Sequence, residues 1–273
     1  MKESRYQRHL SILGNGGWEV LRDIPIVIAG VGGLGSHVAT SIARIAPVTL
    51  ELWDPGIVDA PDLNRQILYT PDSLGRRKVD DAARELVRVN PDLTIHSRAE
   101  AITEGSFLRS SSVWRPDGEP TDTGRHSGPP DASTTGIAPG AGPRSDPERD
   151  APPPAPPFVL FDCLDSFAAR SELDAIRRRT GCTVFHGGVE GWYGQATTFP
   201  GDGPGYADAF GPDFADTPAA AKPILPTTVA VIAALQVSDC ISLCTNGSPT
   251  PLTGTLAVYD GRRGSVERLE YRN

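Results

Sequence analysis

A glycine-rich turn at residues 30–35 is the segment of this chain whose spacing points most directly to chemistry. It reads Gly-Val-Gly-Gly-Leu-Gly, follows an apolar run and precedes a helical pattern. This is the G-x-G-x-x-G fingerprint in the strand–turn–helix context that it requires. Gly30 would permit a tight turn, Gly32 a close approach of the backbone to phosphate, and Gly35 close packing of helix on strand. With Gly33 they form a predicted cofactor-binding turn at a helix N-terminus, which favours anions.

An acidic residue completes the nucleotide signature. Asp54 closes the second predicted strand, nineteen residues beyond Gly35. At that point of a dinucleotide-binding unit a carboxylate accepts hydrogen bonds from ribose hydroxyls. The turn and the acid alone would suit a nicotinamide dehydrogenase equally well, so they indicate a nucleotide without naming it.

Two cations change the interpretation. Arg65 and Lys78 follow Asp54 within 25 residues. A dehydrogenase does not need two cations there, whereas a triphosphate must be neutralised before an anionic carboxylate can attack its α-phosphorus. Arginine offers a planar fork for phosphate oxygens and lysine a point charge. Each cation alone could equally be a solvated surface charge. Together with the turn, and with Asn64 and Gln66 in the same loop, they indicate ATP and formation of an acyl-adenylate.

A second acidic segment, Asp162-Cys163-Leu164-Asp165, follows a fourth apolar strand. Open α/β sheets bind ligands at this carboxyl edge. Asp165 could place one oxygen on Mg²⁺, which keeps several waters and takes few protein ligands. It could also cap the helix that follows, and the two roles are compatible. Cys163 fits packing better than chemistry, and Arg170, one turn into that helix, fits a structural ion pair.

The elements around these residues alternate. Apolar strands are predicted at residues 25–29, 48–53, 93–97, 158–161 and 183–186, and helices at 36–45, 75–89 and 166–180. Strands without polar alternation suit a parallel sheet that is covered on both faces. The tail predicts strands joined by turns at 195–199, 254–259 and 265–271, with an apolar helix at 226–243. The predicted fold is α/β: a Rossmann-like mixed sheet, parallel in its first half and antiparallel in its C-terminal strands, with helices on both faces.

Residues 109–157 interrupt this pattern with 12 of the chain's 26 prolines. Such a composition cannot bury enough apolar area to offset the entropy of ordering. Because strand and helix alternate again directly afterwards, we interpret 109–157 as a Pro/Gly-rich, disordered insertion in a single adenylation-type domain that spans residues 1–273. A polyproline stretch that binds a partner is the alternative.

Composition narrows the class of protein. The net charge is −8 and the pI is about 5.1, with no basic stripe, so nucleic acid is not expected as a partner. No apolar run approaches the roughly 20 residues that span a bilayer. The charged N-terminus leads into no signal-type segment, which predicts a cytoplasmic protein. The four cysteines include no Cys-x-x-Cys pair, so zinc is not expected. Cys240 and Cys244 suit a buried helix face.

Taken together, the motifs resemble the ThiF/MoeB/HesA family, the bacterial relatives of the ubiquitin-activating enzymes. The matching pieces keep their order and spacing: residues 5–9, 30–35, 54, 64–66, 78, 90–91 and 162–165. The resemblance implies an adenylyltransferase that uses ATP with magnesium. Its substrate would be the C-terminal Gly-Gly carboxylate of a small ubiquitin-fold sulfur carrier, in thiamine, molybdopterin or a related sulfur pathway. Pyrophosphate would be released and the acyl-adenylate would then accept sulfur.

The same resemblance implies a role for each matched residue. Asp54 would hold the ribose, Arg65 and Lys78 the triphosphate, and Asp165 the magnesium ion. Arg8 would reach into the site of a neighbouring subunit as an arginine finger, which implies a homodimer.

The chain departs from the family pattern at several positions. Family members often carry two Cys-x-x-Cys zinc motifs, where this chain has Gly205-Tyr206-Ala207-Asp208 and Ala219-Ala220-Ala221-Lys222-Pro223. No cysteine lies between Cys182 and Cys240, so a covalent thioester or acyl disulfide is not expected there. Asp62 replaces a frequent asparagine and adds a negative charge near the triphosphate, which is unfavourable unless Asp62 points away or assists magnesium.

The segment 187–195, which is rich in glycine, resembles the lining of the family's channel for the carrier tail; a plain turn into a strand is the other interpretation. Other functions stay open as well. The acceptor could be a peptide or the threonylcarbamoyl carboxylate of a tRNA, the chain could be the inactive partner of an activating enzyme, or it could be a nicotinamide dehydrogenase. A nicotinamide dehydrogenase would offer no explanation for the segment Asn64-Arg65-Gln66.

Overall fold

The computed structural model describes residues 5–114, 155–212 and 223–271. Within these ranges eight strands form one sheet in the order β3-β2-β1-β4-β5-β6-β7-β8. The strands are β1 Ile26–Ala29, β2 Thr49–Trp53, β3 Thr94–Arg98, β4 Val159–Asp162, β5 Thr183–Glu190, β6 Tyr193–Phe199, β7 Thr255–Asp260 and β8 Ser265–Glu270. Strands β1 to β5 pair in parallel and β5 to β8 antiparallel, so the predicted mixed sheet is confirmed.

Seven α-helices surround the sheet in the described residues: α1 Gln7–Asp23, α2 Gly33–Ile45, α3 Lys78–Val89, α4 Glu104–Ser110, α5 Phe167–Thr180, α6 Tyr206–Phe210 and α7 Pro226–Asn246. Three were not predicted: α1, α4 and the five-residue α6. The periodicity of α1 is obscured because Gly14 lies inside it with φ of 68°, in a left-handed conformation that kinks the helix. Helix α4 has only seven residues, too few for a clear periodic signal.

Side chains of each inner strand alternate between two apolar layers. Ile26 and Ile28 join the layer that contains the buried faces of α1, α2, α3 and α7. Val27 and Ala29 join the layer of α4, α5 and α6. All four residues of β1 are fully buried, as predicted for a parallel strand covered on both faces.

Helix α7 has 21 residues and a mean hydropathy of 1.6 over its most apolar window, so by length and composition it could cross a membrane. The sequence expectation that no apolar run is long enough is therefore wrong. More than half of that window is buried inside the protein, and α7 packs against α1, α2, β5 and β6. These contacts are typical of a central core helix.

The order of the strands creates a crevice. Strand β1 pairs with β2 on one side and with β4 on the other, so the chain reverses direction across the sheet at this point. In open α/β sheets, ligands bind outside the carboxyl ends of the strands at such a switch point. Gly30 follows β1 and Cys163 follows β4, and these two residues meet in the crevice.

Part of the predicted insertion is ordered structure. Residues 109 and 110 close helix α4, and Val113 is buried against the apolar layer of α4 and α5. The chain is described again from residue 155. Residues 115–154 lie outside the described residues, and their disorder stays a prediction.

Candidate functional site

A cavity of about 1050 Å³ opens at the carboxyl ends of β1, β2 and β4. It brings together most of the predicted site residues, which were spread over the first 165 positions: Gly30, Gly32, Gly33, Asp54, Arg65, Gln66, Lys78 and Asp165. Three predicted residues do not line it. Gly35 is buried beneath the turn, Asn64 lies beside Arg65, and Arg8 is exposed on α1.

Glycines of the turn serve two different purposes. Gly30 has φ of +87°, and a Cβ there would come within 2.8 Å of the Cys163 carbonyl oxygen. A Cβ on Gly35 would overlap the carbonyl oxygen of Gly30. The fold therefore requires both. A Cβ on Gly32 would find its nearest neighbour, the Gln66 amide, at 3.7 Å, so Gly32 keeps the cavity open beside the N-terminus of α2.

Asp54 ties the turn to the second strand. One carboxylate oxygen accepts the Val31 amide at 2.8 Å and the other accepts the Gly56 amide at 2.7 Å. The carboxylate also lines the cavity. The structure thus places Asp54 beside the turn, and its contact with a ribose stays a prediction.

The two predicted phosphate ligands share one carboxylate. Lys78 Nζ lies 3.2 Å from Asp62 Oδ2, and Arg65 Nη2 lies 3.6 Å from Asp62 Oδ1. Asp62 therefore points toward the cations and not away from them. Arg65 also donates to Asn64 Oδ1 at 3.0 Å, so Asn64 contacts the arginine instead of lining the cavity. These side chains keep 13 to 21% of their surface exposed, which leaves them accessible to a ligand.

A second ionic cluster lies at the inner wall of the cavity and is buried, with side chains of Asp162, Arg170 and His186 that are 0 to 7% exposed. Asp162 Oδ2 accepts hydrogen bonds from His186 Nδ1 at 2.6 Å, from Tyr206 Oη at 2.8 Å and from Arg170 Nε at 3.2 Å. Its other oxygen accepts the Leu164 amide at 3.0 Å. The predicted structural ion pair of Arg170 is confirmed, and its partner is Asp162.

Electrostatics fix the protonation of this cluster. Burial by itself raises the pKa of Asp162, but the Arg170 guanidinium and the hydrogen bonds from His186 and Leu164 outweigh it, so the pKa lies below its ordinary value. Burial lowers the pKa of His186 despite the opposing effect of Asp162. The carboxylate is ionised and the imidazole neutral, so Nδ1 must carry the imidazole proton. The unprotonated Nε2 faces the Gln195 amide at 3.4 Å.

The buried cluster holds the loop that carries Asp165. Arg170 Nη2 donates to Leu164 O at 2.6 Å, and Gln236 Nε2 donates to Asp162 O at 3.0 Å. Asp165 is exposed at the cavity. Ser166 stands at the N-cap of helix α5, where its hydroxyl accepts the Ala169 amide at 3.3 Å, and a capping role for Asp165 stays a prediction.

Donors for a metal are sparse in the described ranges. No group of three or more His, Cys, Asp or Glu side chains there could hold a metal ion. A single carboxylate, such as that of Asp165, fits a magnesium ion that is bound mainly through water and phosphate.

Cysteine chemistry is not favoured in the cavity. Cys163 is half-buried and lines it, and burial together with the Asp162 charge raises the pKa of the thiol well above its ordinary value. A protonated thiol is a poor nucleophile. Cys240 and Cys244 are buried in α7, as predicted.

The cavity extends along the hairpin of β5 and β6, past Gly188, Val189 and Gln195. Two positions of this segment require glycine because helix α7 packs directly behind them. A Cβ on Gly187 would lie 2.7 Å from the Gln236 side chain, and one on Gly194 would overlap Ile232. The strand interpretation therefore accounts for these two glycines, while Gly188 adjoins the cavity.

Where family members often carry the first zinc motif, this chain forms the short helix α6. Asp208 Oδ2 accepts the Gly205 amide at 2.7 Å. Arg177 Nη1 donates to the carbonyl of Pro200 at 2.6 Å and also contacts those of Gly201 and Gly203. A guanidinium therefore ties this loop to α5. The second position falls at residues 219–223, and 219–222 lie outside the described residues.

His186, Tyr206 and Gln236 were missed by sequence reasoning. His186 closes a predicted strand, and Tyr206 lies in a segment considered only for missing cysteines. The available signal was that a histidine at the carboxyl end of a buried strand is a polar group that needs a partner.

A profile of the ThiF family matches residues 6–117 and 155–273. The chain belongs to the ThiF family. It is 25% identical over 276 residues to the SAMP-activating enzyme E1 of Haloferax volcanii, covering 98% of this chain and 85% of that protein. It is 30% identical over 173 residues to ubiquitin-like modifier-activating enzyme 5 of Drosophila grimshawi, covering 63% of this chain and 35% of that protein.

Solved structures show the same fold. E. coli MccB with MccA-N7isoASN superposes with a TM-score of 0.71 at 15% identity, over 99% of this chain and 72% of that one. PaaA superposes with a TM-score of 0.67 at 17% identity, over 98% and 73%. The predicted family and fold are confirmed. The family and these relatives also confirm the predicted enzyme class, an adenylyltransferase of the ThiF type.

Proposed function

We propose that this ThiF-family protein uses ATP and Mg²⁺ to adenylate the C-terminal Gly-Gly carboxylate of a small ubiquitin-fold sulfur carrier. The observation that carries the proposal is the cavity itself. One crevice gathers a helix N-terminus, the acid Asp54, the cations Arg65 and Lys78, and the exposed Asp165. These are the groups that a magnesium-bound triphosphate needs.

Each group has a physical task. The free amides at the N-terminus of α2 would bind phosphate oxygens, and Asp54 would accept the ribose hydroxyls. A carboxylate oxygen of the acceptor attacks the α-phosphorus, the bond from that phosphorus to the bridging oxygen breaks, and pyrophosphate leaves with the electron pair. Arg65 and Lys78 would neutralise the charge that grows on the pyrophosphate. Mg²⁺ at Asp165 would add positive charge beside the same phosphates.

The acceptor is proposed on two grounds. The cavity continues from the nucleotide end past Gly188 and Gln195, which leaves a path for an extended chain end. The relatives are named for activating ubiquitin-like modifiers or SAMP proteins, and E. coli MccB has been solved with ATP and with the peptide MccA. A sulfur carrier of a thiamine or molybdopterin pathway remains the preferred acceptor, with a peptide as the alternative.

A homodimer is part of the proposal. Arg8 is exposed on α1 outside the cavity of its own chain, and Ile12, one turn further, is 79% exposed. The exposed position of the predicted arginine finger on α1 supports a subunit contact at this helix.

The test is magnesium-dependent ATP–pyrophosphate exchange, measured with and without candidate carriers that end in Gly-Gly. Exchange that requires a carrier and disappears in Arg65→Ala and Asp165→Ala would support the proposal. The matched control is Arg88→Ala, because Arg88 is 75% exposed and pairs only with Glu85 in the described contacts.

Absence of exchange with every carrier while ATP still binds would point to a different acceptor. Absence of ATP binding would support the inactive-partner alternative. One observation favours that alternative, because Asp62 already pairs with both predicted phosphate cations.

A further inference from the structure

Asp62 lies between Lys78 and Arg65, the two cations that are predicted to bind phosphate. Its carboxylate is 13% exposed, and both oxygens are engaged. Oδ2 contacts Lys78 Nζ at 3.2 Å and accepts the Asp59 amide at 3.1 Å. Oδ1 accepts Gln66 Nε2 at 2.6 Å and lies 3.6 Å from Arg65 Nη2. One carboxylate therefore binds, in the protein alone, both cations that the nucleotide would use.

This arrangement makes phosphate binding a competition. A phosphate oxygen that approaches Lys78 or Arg65 must either displace Asp62 or lie beside another negative charge. Free ATP carries about four negative charges near neutral pH, so its repulsion by a fixed carboxylate a few ångströms away is strong in a partly buried site. A bound divalent cation cancels about two of those charges and reduces the repulsion accordingly.

We propose that Asp62 is a built-in counterion that competes with the nucleotide's phosphates for Lys78 and Arg65 and thereby makes nucleotide binding depend strongly on a divalent cation. The inference rests on the proposed nucleotide site. It also explains how the cations stay ordered before ATP binds, since each has a carboxylate partner in the same loop.

The 3₁₀ turn Ala60–Asn64, which contains Asp62 and is preceded by Asp59, provides a matched control. Asp59 lies three residues earlier, and its carboxylate accepts the Ala60 amide at 2.7 Å. No described ion pair joins it to Lys78 or Arg65. Asp59→Asn removes the same charge from the same 3₁₀ turn without touching the cations, whereas Asp62→Asn removes the charge between them and keeps an oxygen acceptor for the Asp59 amide.

The experiment measures the dissociation constant of the non-hydrolysable analogue α,β-methylene-ATP by isothermal titration calorimetry. Wild type, Asp62→Asn and Asp59→Asn are each titrated with excess magnesium and with chelator. Removing one close like charge should tighten binding by about tenfold or more in chelator for Asp62→Asn, and by less with magnesium. Asp59→Asn should stay within about twofold of wild type. Circular dichroism confirms folding, and Asp62→Ser replaces Asp62→Asn if the latter does not fold.

Unchanged or weaker binding of α,β-methylene-ATP by Asp62→Asn would overturn the inference, because a metal ligand or a purely structural residue behaves in that way. A gain of equal size in Asp59→Asn would also overturn it, since a general charge effect would then suffice. If wild type and all variants bind no nucleotide under either condition, the proposed function fails and the counterion role with it. Binding by wild type without a gain in Asp62→Asn removes the counterion role alone.

Discussion

Two ionic clusters meet at the same edge of the sheet, and they differ mainly in exposure. In the first, Asp62 pairs with Arg65 and Lys78, whose side chains are 13 to 21% exposed. In the second, Asp162 pairs with Arg170 and His186, whose side chains are 0 to 7% exposed. The carboxylate of Asp62 thus belongs to a cluster whose ion pairs a ligand can reach. The carboxylate of Asp162 belongs to a cluster that water and ligands do not reach and that acts as a fixed support.

The difference follows from solvation. A partly exposed ion pair contributes little to stability because water can replace either partner. A buried pair that loses one member leaves a charge without solvent, which costs several kcal/mol. We therefore expect the partly exposed cluster to release its cations to a phosphate ligand, whereas the buried cluster holds the 162–165 loop in one position.

The largest expected effect is on stability. Asp162→Ala would leave the Arg170 guanidinium, the His186 ring and the Tyr206 hydroxyl without their shared acceptor. We expect the free energy of unfolding to fall by about 3–5 kcal/mol, measured by urea denaturation. The companion variant Asp62→Ala should lose less than about 1.5 kcal/mol. Equal losses in the two variants would remove the distinction between the clusters.

The turn offers a second contrast. Gly35→Ala would force a Cβ into the Gly30 carbonyl, so we expect about 3 kcal/mol of destabilisation or more, measured by thermal unfolding. Gly32→Ala should fold normally because its Cβ would have room, yet the methyl group would narrow the phosphate end of the cavity and weaken nucleotide binding. Loss of folding in Gly32→Ala would contradict this division of roles.

The exposed cluster should matter for activity and little for folding. In Arg65→Ala and Lys78→Ala we expect pyrophosphate exchange to drop by about 100-fold or more. Their free energies of unfolding should stay within about 1 kcal/mol of wild type. Assays of pyrophosphate exchange and of urea denaturation on the same variants test the expected loss of activity and the expected stability. A variant with full exchange would exclude its side chain from the phosphate site.

The smallest effect concerns pH. Because the pKa of His186 is lowered by burial, the unfolded state binds more protons than the folded state at pH values between that lowered pKa and about 6.5. The free energy of unfolding should therefore fall as the pH drops through that range, by at most about 1.4 kcal/mol per pH unit for this group. The lowered pKa of Asp162 adds a further loss below about pH 4.

A substitution at His186 separates its contribution to the pH dependence of stability from that of the other titrating groups. His186→Asn can keep a donor toward Asp162 while removing the titrating ring, so the dependence between about pH 7 and pH 5 should flatten. An unchanged slope in His186→Asn, measured by urea denaturation across this range, would assign the acid sensitivity to other groups.

Much of the site was predictable because its signals are local. Gly30 to Gly35, Asp54, Arg65 and Lys78 lie in or next to single strand-to-helix connections, and the parallel order of the strands brings those connections to one edge. The Asp165 loop was predictable for the same reason. The start of α1 was not, since its glycines hide the helical period.

The sequence by itself determined the family, the parallel then antiparallel sheet and the residues that surround the cavity, because each of these depends on short patterns of residue type. Only the tertiary structure decided which side chains share a carboxylate. Asp162 collects partners 8, 24 and 44 residues away in the chain, and Asp62 closes on Lys78 across the loop. Such contacts depend on strand register and helix packing over long separations, which no local pattern encodes.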